Sequence, residues 1–233
     1  MKRILFCLTA FVFATSCGPS VNPQLKAKID GQFGAVSKKN YGAVGRFLKP
    51  MPYAVGQYVI LGTTDSSGKR SISRTMIAGK ADGGWIIESA TLNSAEETAV
   101  QMCVRGLEKA AASGNAESVE IVWIKIKNEK GAIQRVEGPV LAMMRSVYKN
   151  NLSSLNVKAA IYVNGGTVSV PAGTFTATNR VETEVSFLGK THRSTAWHHS
   201  AVPINGMVKM LSEDGKNQTV LLGFGFKGAV SEF

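Results

Sequence analysis

The feature that most constrains this chain is a recurring pair of signals. A β-rich segment is followed, again and again, by a short set of turn formers in which Gly comes after Asp or Asn. Gln57-Tyr58-Val59-Ile60-Leu61 runs into Asp65-Ser66-Ser67-Gly68. Ser71 to Ile77 then largely alternates polar and apolar residues up to Asp82-Gly83-Gly84, as a half-buried strand does. Trp85 to Glu88 follows. Val119 to Lys127 is the strongest strand, closed by Asn128-Glu129-Lys130-Gly131. In the second half, Ile161-Tyr162-Val163 meets Asn164-Gly165-Gly166 before Thr167 to Val170. Val181 to Val185 alternates, and Met207 to Met210 and Thr219 to Leu222 flank Asp214-Gly215. Asn-Gly and Asp-Gly supply the positive φ that tight hairpins require. Strands joined by such short turns are antiparallel neighbours. The chain is therefore expected to be mostly an antiparallel meander.

Helical periodicity interrupts this pattern. Leu141, Met144, Tyr148, Leu152 and Leu155 form one apolar stripe, with Pro139 suited to the first turn. Leu25, Ile29 and Phe33 predict a short N-terminal helix that Gly31 and Gly34 weaken at its end. Between Ser94 and Ser113 two readings compete. Ser94 and Glu97 have capping-box spacing, yet Thr98 to Val104 reads equally well as a returning strand. Strand is expected for the middle of this segment, and helix or loop for Glu108 to Ser113.

The first residues read as an address. Lys2 and Arg3 precede an apolar run from Ile4 to Ala14, too short for a membrane span of roughly 20 residues. Ala14-Thr15-Ser16-Cys17 resembles the bacterial lipobox, although the family pattern favours Leu where Ala14 stands. By that resemblance residues 1–16 are a lipoprotein signal peptide and Cys17 becomes an acylated N-terminus. Acylation by more than one chain gives stable anchoring, at about 0.8 kcal/mol per buried CH₂. Gly18 is not the Asp associated with inner-membrane retention, so the resemblance implies the outer membrane. Residues 17–50 are then a lipidated Cys and a basic segment. They read either as a solvated tether or as a basic arm lying on anionic headgroups. Residues 51–233 form the folded domain.

Charge and cysteines take their meaning from this address. The whole chain of 233 residues carries 27 Lys+Arg against 16 Asp+Glu, a net +11. Removing residues 1–16, which hold two cations and no acid, leaves +9. That charge is spread out, without a Lys/Arg cluster interleaved with aromatics. In an envelope it points to headgroups or solubility and away from nucleic acid. Cys7 leaves with the signal and Cys17 takes the lipid, so Cys103 has no disulfide partner. A lone thiol in an oxidising compartment is expected to be buried.

Chemistry-bearing motifs are sparse. No Gly-x-Ser-x-Gly, His-Glu-x-x-His or Walker loop occurs. His192, His198 and His199 are the only histidines, and neighbours on a strand point to opposite faces. A polar rim or turn accounts for them, and no metal or cofactor is expected. Glu182 and Glu184 share a strand face that reads as solvated. The chain is expected not to be an enzyme.

Val168-Ser169-Val170-Pro171-Ala172-Gly173-Thr174-Phe175 resembles a motif of uncharacterised bacterial envelope lipoproteins. Trp197, Val202 to Lys209, Leu221 to Ala229, and Val55 to Val59 with Trp85 to Glu88 carry the rest of the resemblance, from about Met51 onward. It implies a fold similar to the lipoprotein-localisation factors LolA and LolB. That is an α+β architecture, a curved antiparallel half-barrel with one or two covering helices. In it a strand bends at Pro-Ala-Gly, because Pro171 cannot donate a ladder hydrogen bond. Such a sheet encloses a concave apolar space, and Trp123, Met144, Tyr148, Phe175, Trp197 and Met207 are the candidate ligand-binding residues. Two functions follow. One is a periplasmic binder of a lipid or another hydrophobic ligand. The other is a structural or adaptor lipoprotein with a filled core that contacts other envelope proteins. An enclosed space of roughly 300 Å³ or more beneath the Leu141–Leu155 helix would separate them.

Overall fold

The computed structural model describes residues 21–42, 51–113, 118–128, 130–153, 163–187 and 190–233. The signal segment, Cys17 and Leu155 lie outside the described residues. In chain order the elements are helix α1 (Pro23–Gly34), β1 (Asn40–Tyr41), β2 (Tyr58–Thr64), β3 (Arg70–Ala81), β4 (Gly84–Leu92), β5 (Glu97–Arg105) and α2 (Leu107–Ser113). Then come β6 (Glu120–Lys127), β7 (Ile133–Val136), α3 (Gly138–Ser153), β8 (Val163–Val170), β9 (Gly173–Phe187), β10 (Lys190–His198), β11 (Met207–Ser212) and β12 (Gln218–Gly225).

All twelve strands belong to one mixed sheet. Two meanders, β2 to β7 and β8 to β12, are joined edge to edge by the antiparallel β12–β2 ladder. The exception to antiparallel pairing is β1, which runs parallel to the start of β9. Among the described residues the path does not close into a barrel. The turns at 65–68, 82–83 and 213–215 form as their sequences require. Asp65 Oδ1, for example, accepts the amides of Ser67 and Lys69 at 2.8 and 3.0 Å. Residues 97–105 are strand and 107–113 helix. The capping-box spacing at Ser94 goes unused. Asn93 Oδ1 instead accepts the amides of Ala95 and Glu96 and turns the chain back.

Two expectations about the second half are corrected. Asn164-Gly165-Gly166 does not reverse the chain; β8 runs through it, with register shifts on both sides of Gly166. Gly165 passes so close beneath Trp197 and Thr178 that a Cβ there would stand 2.9 and 2.6 Å from them. Here glycine serves close packing inside a bulged strand. Conversely, Pro171-Ala172 is not a bend within one strand. It is the two-residue turn of the β8–β9 hairpin, where Val170 pairs with Gly173. Gly173 has φ +141, and a Cβ there would meet Lys39 O at 2.6 Å. The chain before β1 presses on this turn, with Ser37 N donating to Pro171 O at 2.8 Å.

Register decides which residues share a face, because paired residues point the same way. Val59, Ile77, Ile87, Met102 and Ile124 fall on one face and belong to the main core. The β8–β9 hairpin folds back over this face. Ala172 N donates to Leu221 O of β12 at 3.1 Å, although β10 and β11 separate β9 from β12 in the sheet. Val168, Val170, Ala172 and Phe175 thereby join the main core, and α2 adds Leu107 and Ala110. Leu141 and Met144 of α3 pack against the same core, and Arg145 ties α3 to Val122 O of β6 at 3.0 Å.

The opposite face has its own smaller core. Ile29 of α1, 2 % exposed, packs with Ile72 and Leu92, flanked by Leu25, Phe33, Ile60 and Leu222. Residues 21–42 are therefore part of the fold. Of the segment expected as a spacer up to residue 50, the described part, 21–42, is docked, because α1 carries an apolar stripe that the sheet buries.

Candidate functional site

The five candidate ligand residues whose side chains are described do not all face one space. Phe175 is core: it has 0 % exposure, stacks on Tyr41 at 4.6 Å and meets His199 edge-on at 5.3 Å. Met144 and Trp197 pack around that core half-buried, and Lys209 Nζ lies 5.6 Å from the Trp197 ring centre. Met207 starts β11 opposite His198. Trp123 pairs with Cys103 and so faces away from the main core. Its indole N–H donates to Asp82 Oδ2 at 2.8 Å, with Lys125 over the ring. Tyr148 lies on α3, and its side chain is outside the described residues.

The histidines at 198 and 199 organise a loop. His198 is buried, with Nδ1 at 3.1 Å from Asn205 O. His199 Nδ1 accepts the amide of Ala201 at 3.1 Å. Burial holds both imidazoles below the ordinary histidine value, and a backbone hydrogen bond opposes it in each. His192 is on β10 opposite Val185. Among the described residues no three His, Cys, Asp or Glu side chains cluster as metal ligands would. Cys103 is buried; its Sγ–H donates to Ala81 O at 3.1 Å, and burial, followed by the nearby Asp82 charge, raises its pKa.

A cleft of about 470 Å³ opens at one end of the sheet, between the β3–β4 turn and the start of α2. Trp85 forms its apolar wall. The Trp85 indole N–H donates to Glu108 at 3.1 Å, and Lys80 Nζ stands 4.0 Å from its ring centre. Tyr53 supports the indole edge-on at 6.0 Å; its phenol pKa is raised by burial and then by the Glu108 charge. Asp82 and Lys109 complete the charged rim. Among the described residues the cleft's polar side chains are Lys80, Asp82, Glu108 and Lys109. An aromatic platform with paired charges of both signs suits recognition of a polar partner.

A second polar constellation lies on the face opposite the main core. Glu88 of β4 has 0 % exposure. Its carboxylate accepts from Gln101 Nε2 at 3.2 Å, Ser231 Oγ at 2.5 Å and Glu232 N at 2.8 Å. Arg74 bridges Glu88 and Glu232 at 3.5 and 2.9 Å. Lys127 Nζ donates to Glu232 O at 2.9 Å. The residues after β12 thus cross the sheet as a strap held by side chains of β3, β4, β5 and β6. Sequence reading did not single out these residues. Their signal was a Glu directly after the apolar run Trp85-Ile86-Ile87 and a Gln between Val100 and Met102, which the register places opposite each other.

No protein-family model matches this chain, and no curated protein matches it. Two solved structures are similar to it. One is a protein inferred to be exported, with a YmcC-like fold, from Bacteroides fragilis; it is 12 % identical, covers 76 % of this chain and 99 % of its own, and has a TM-score of 0.37. The other is a protein inferred to be a lipoprotein from Parabacteroides distasonis, also 12 % identical, with the same coverage and a TM-score of 0.36.

Proposed function

We propose that this chain is a non-enzymatic lipoprotein of the cell envelope, anchored through Cys17 in the outer membrane, and that it acts as an adaptor between the membrane and another envelope component. The lipobox resemblance supports the anchor, and Gly18 supports the destination. The bulged ladders, such as those between Ile77 and Gly79 and between Leu221 and Gly223, support reading the sheet as the half-barrel of the resemblance, since bulges bend strands.

The observation that carries the adaptor reading is the occupied core face. Where a lipid carrier needs empty apolar volume, the chain's own β8–β9 hairpin inserts Phe175, Val168, Val170 and Ala172, and α3 seats Leu141 and Met144 beside them. The Trp85 cleft is a contact point for the partner. Native mass spectrometry of the purified protein tests this. The protein is expected to fly at the mass of its acylated chain alone. A stoichiometric co-purifying lipid would restore the carrier reading.

A further inference from the structure

We infer which end of the molecule meets the bilayer: the end bearing the β2–β3, β4–β5 and β11–β12 turns, with the Trp85 cleft held at the far end. The inference rests on the reading of Cys17 as the lipid anchor. Its new content is the orientation, which comes from where the described chain begins and how firmly it is fixed there.

The chain is pinned to the fold from Asn22 onward. Asn22 N donates to Ser94 O in the β4–β5 turn at 2.8 Å. Its side chain caps α1 by accepting the amides of Gln24 and Leu25. Ile29 then buries α1 against β3 and β4, and Lys28 reaches Glu97 at 3.4 Å. Only four residues, Gly18 to Val21, separate Cys17 from Asn22. Fully extended, the five Cα-to-Cα steps from Cys17 to Asn22 reach at most about 18 Å.

The cleft is out of that reach. Between the β4–β5 turn and the cleft runs β4, nine residues long, which spans about 30 Å at strand rise. The neighbouring β3 has twelve residues, or about 40 Å. Hairpins alternate ends, so the turns at 65–69 and 213–217 share the anchored end with Ser94, and Gly83 and Lys109 occupy the other. A 34-residue spacer would have let any surface approach the membrane; a four-residue one does not. The attachment point is on an end rather than a flank, so the strands stand away from the lipid surface and the cleft faces the aqueous compartment. Lys26 is paired with Asp30, which also takes Arg70, and Lys28 is paired with Glu97. The partner of this end is the lipid surface itself.

Fluorescence quenching in reconstituted vesicles tests the orientation. Single reporters are attached to full-length acylated protein at S66C or K216C, and separately at K109C, in a C103A background. The vesicles are phosphatidylethanolamine and phosphatidylglycerol carrying headgroup nitroxide. Loss of emission is expected at positions 66 and 216, with emission retained at 109. Equal quenching at all three positions would overturn the orientation in favour of a molecule lying flat, and strongest quenching at 109 would invert it. Palmitate incorporation that C17S abolishes is scored first. Its absence from the unaltered chain overturns the anchor reading and the orientation with it, whereas incorporation with equal quenching overturns the orientation alone.

Discussion

His198 and His199 fill buried positions that a strand rim would not provide, and this gives the protein a defined response to acid. Both are held below 6.5 by burial. The unfolded chain therefore binds more protons than the folded one as pH falls through 6.5 toward the folded values. Their stability contribution is present above 6.5 and lost below it. Asp30, Asp65 and Asp214 have lowered pKa values, so their contributions disappear only further down, below about 4. The urea midpoint is expected to fall between pH 7 and 5. The double variant His198→Asn, His199→Asn should flatten that slope; an unchanged slope would assign it to other groups. These roles were hidden in the sequence because adjacent histidines on a regular strand must diverge. Here the ladder shifts register between Trp197 and His198, and His199 already belongs to the loop beyond β10.

Among the elements, the strap after β12 depends most on one side chain. Val230 is 75 % exposed and Phe226 is exposed too, so apolar burial holds the strap weakly. The Glu88 carboxylate supplies the hold, surrounded by Gln101, Ser231, Glu232 and Arg74. Glu88→Ala would leave the buried Gln101 amide and the Ser231 and Glu232 donors without that acceptor, at a cost of about 1–3 kcal/mol. The strap should then open, and trypsin should cut after the exposed Lys227 faster than in the parent. An unchanged cleavage rate would mean that other contacts hold the strap. The turns and strands that carry it were legible, since local chemistry fixes them: Asp65, Asp82 and Asp214 each begin a turn where expected. Asn164-Gly165-Gly166 and Pro171-Ala172-Gly173 exchanged roles, one becoming a bulged strand and the other a hairpin turn. Close approach by Trp197 in the first case and by Lys39 in the second chose between two conformations that glycine permits equally.

At the scale of the whole molecule, the sheet is covered on both faces by separate cores, and this predicts how damage combines. Phe175→Ala in the main core should cost about 3–5 kcal/mol, and Ile29→Ala beneath α1 about 2–5 kcal/mol. Because the two clusters share no residues, the urea-derived costs should add in the double variant to within about 0.5 kcal/mol. A larger departure would show that the faces are coupled through the sheet. By itself the sequence determined most of the strands, the hairpin turns at Asp65, Asp82 and Asp214, and the helices at Leu25–Phe33 and from Leu141 onward, because turn chemistry and periodicity are local properties. Only the tertiary structure decided what fills the main core, that α1 is docked instead of forming a spacer, and that Trp123 and Phe175 point to opposite faces. Those outcomes depend on ladder register and on contacts between residues far apart in the chain, such as Ala172 with Leu221 and Glu88 with Ser231, which no local pattern encodes.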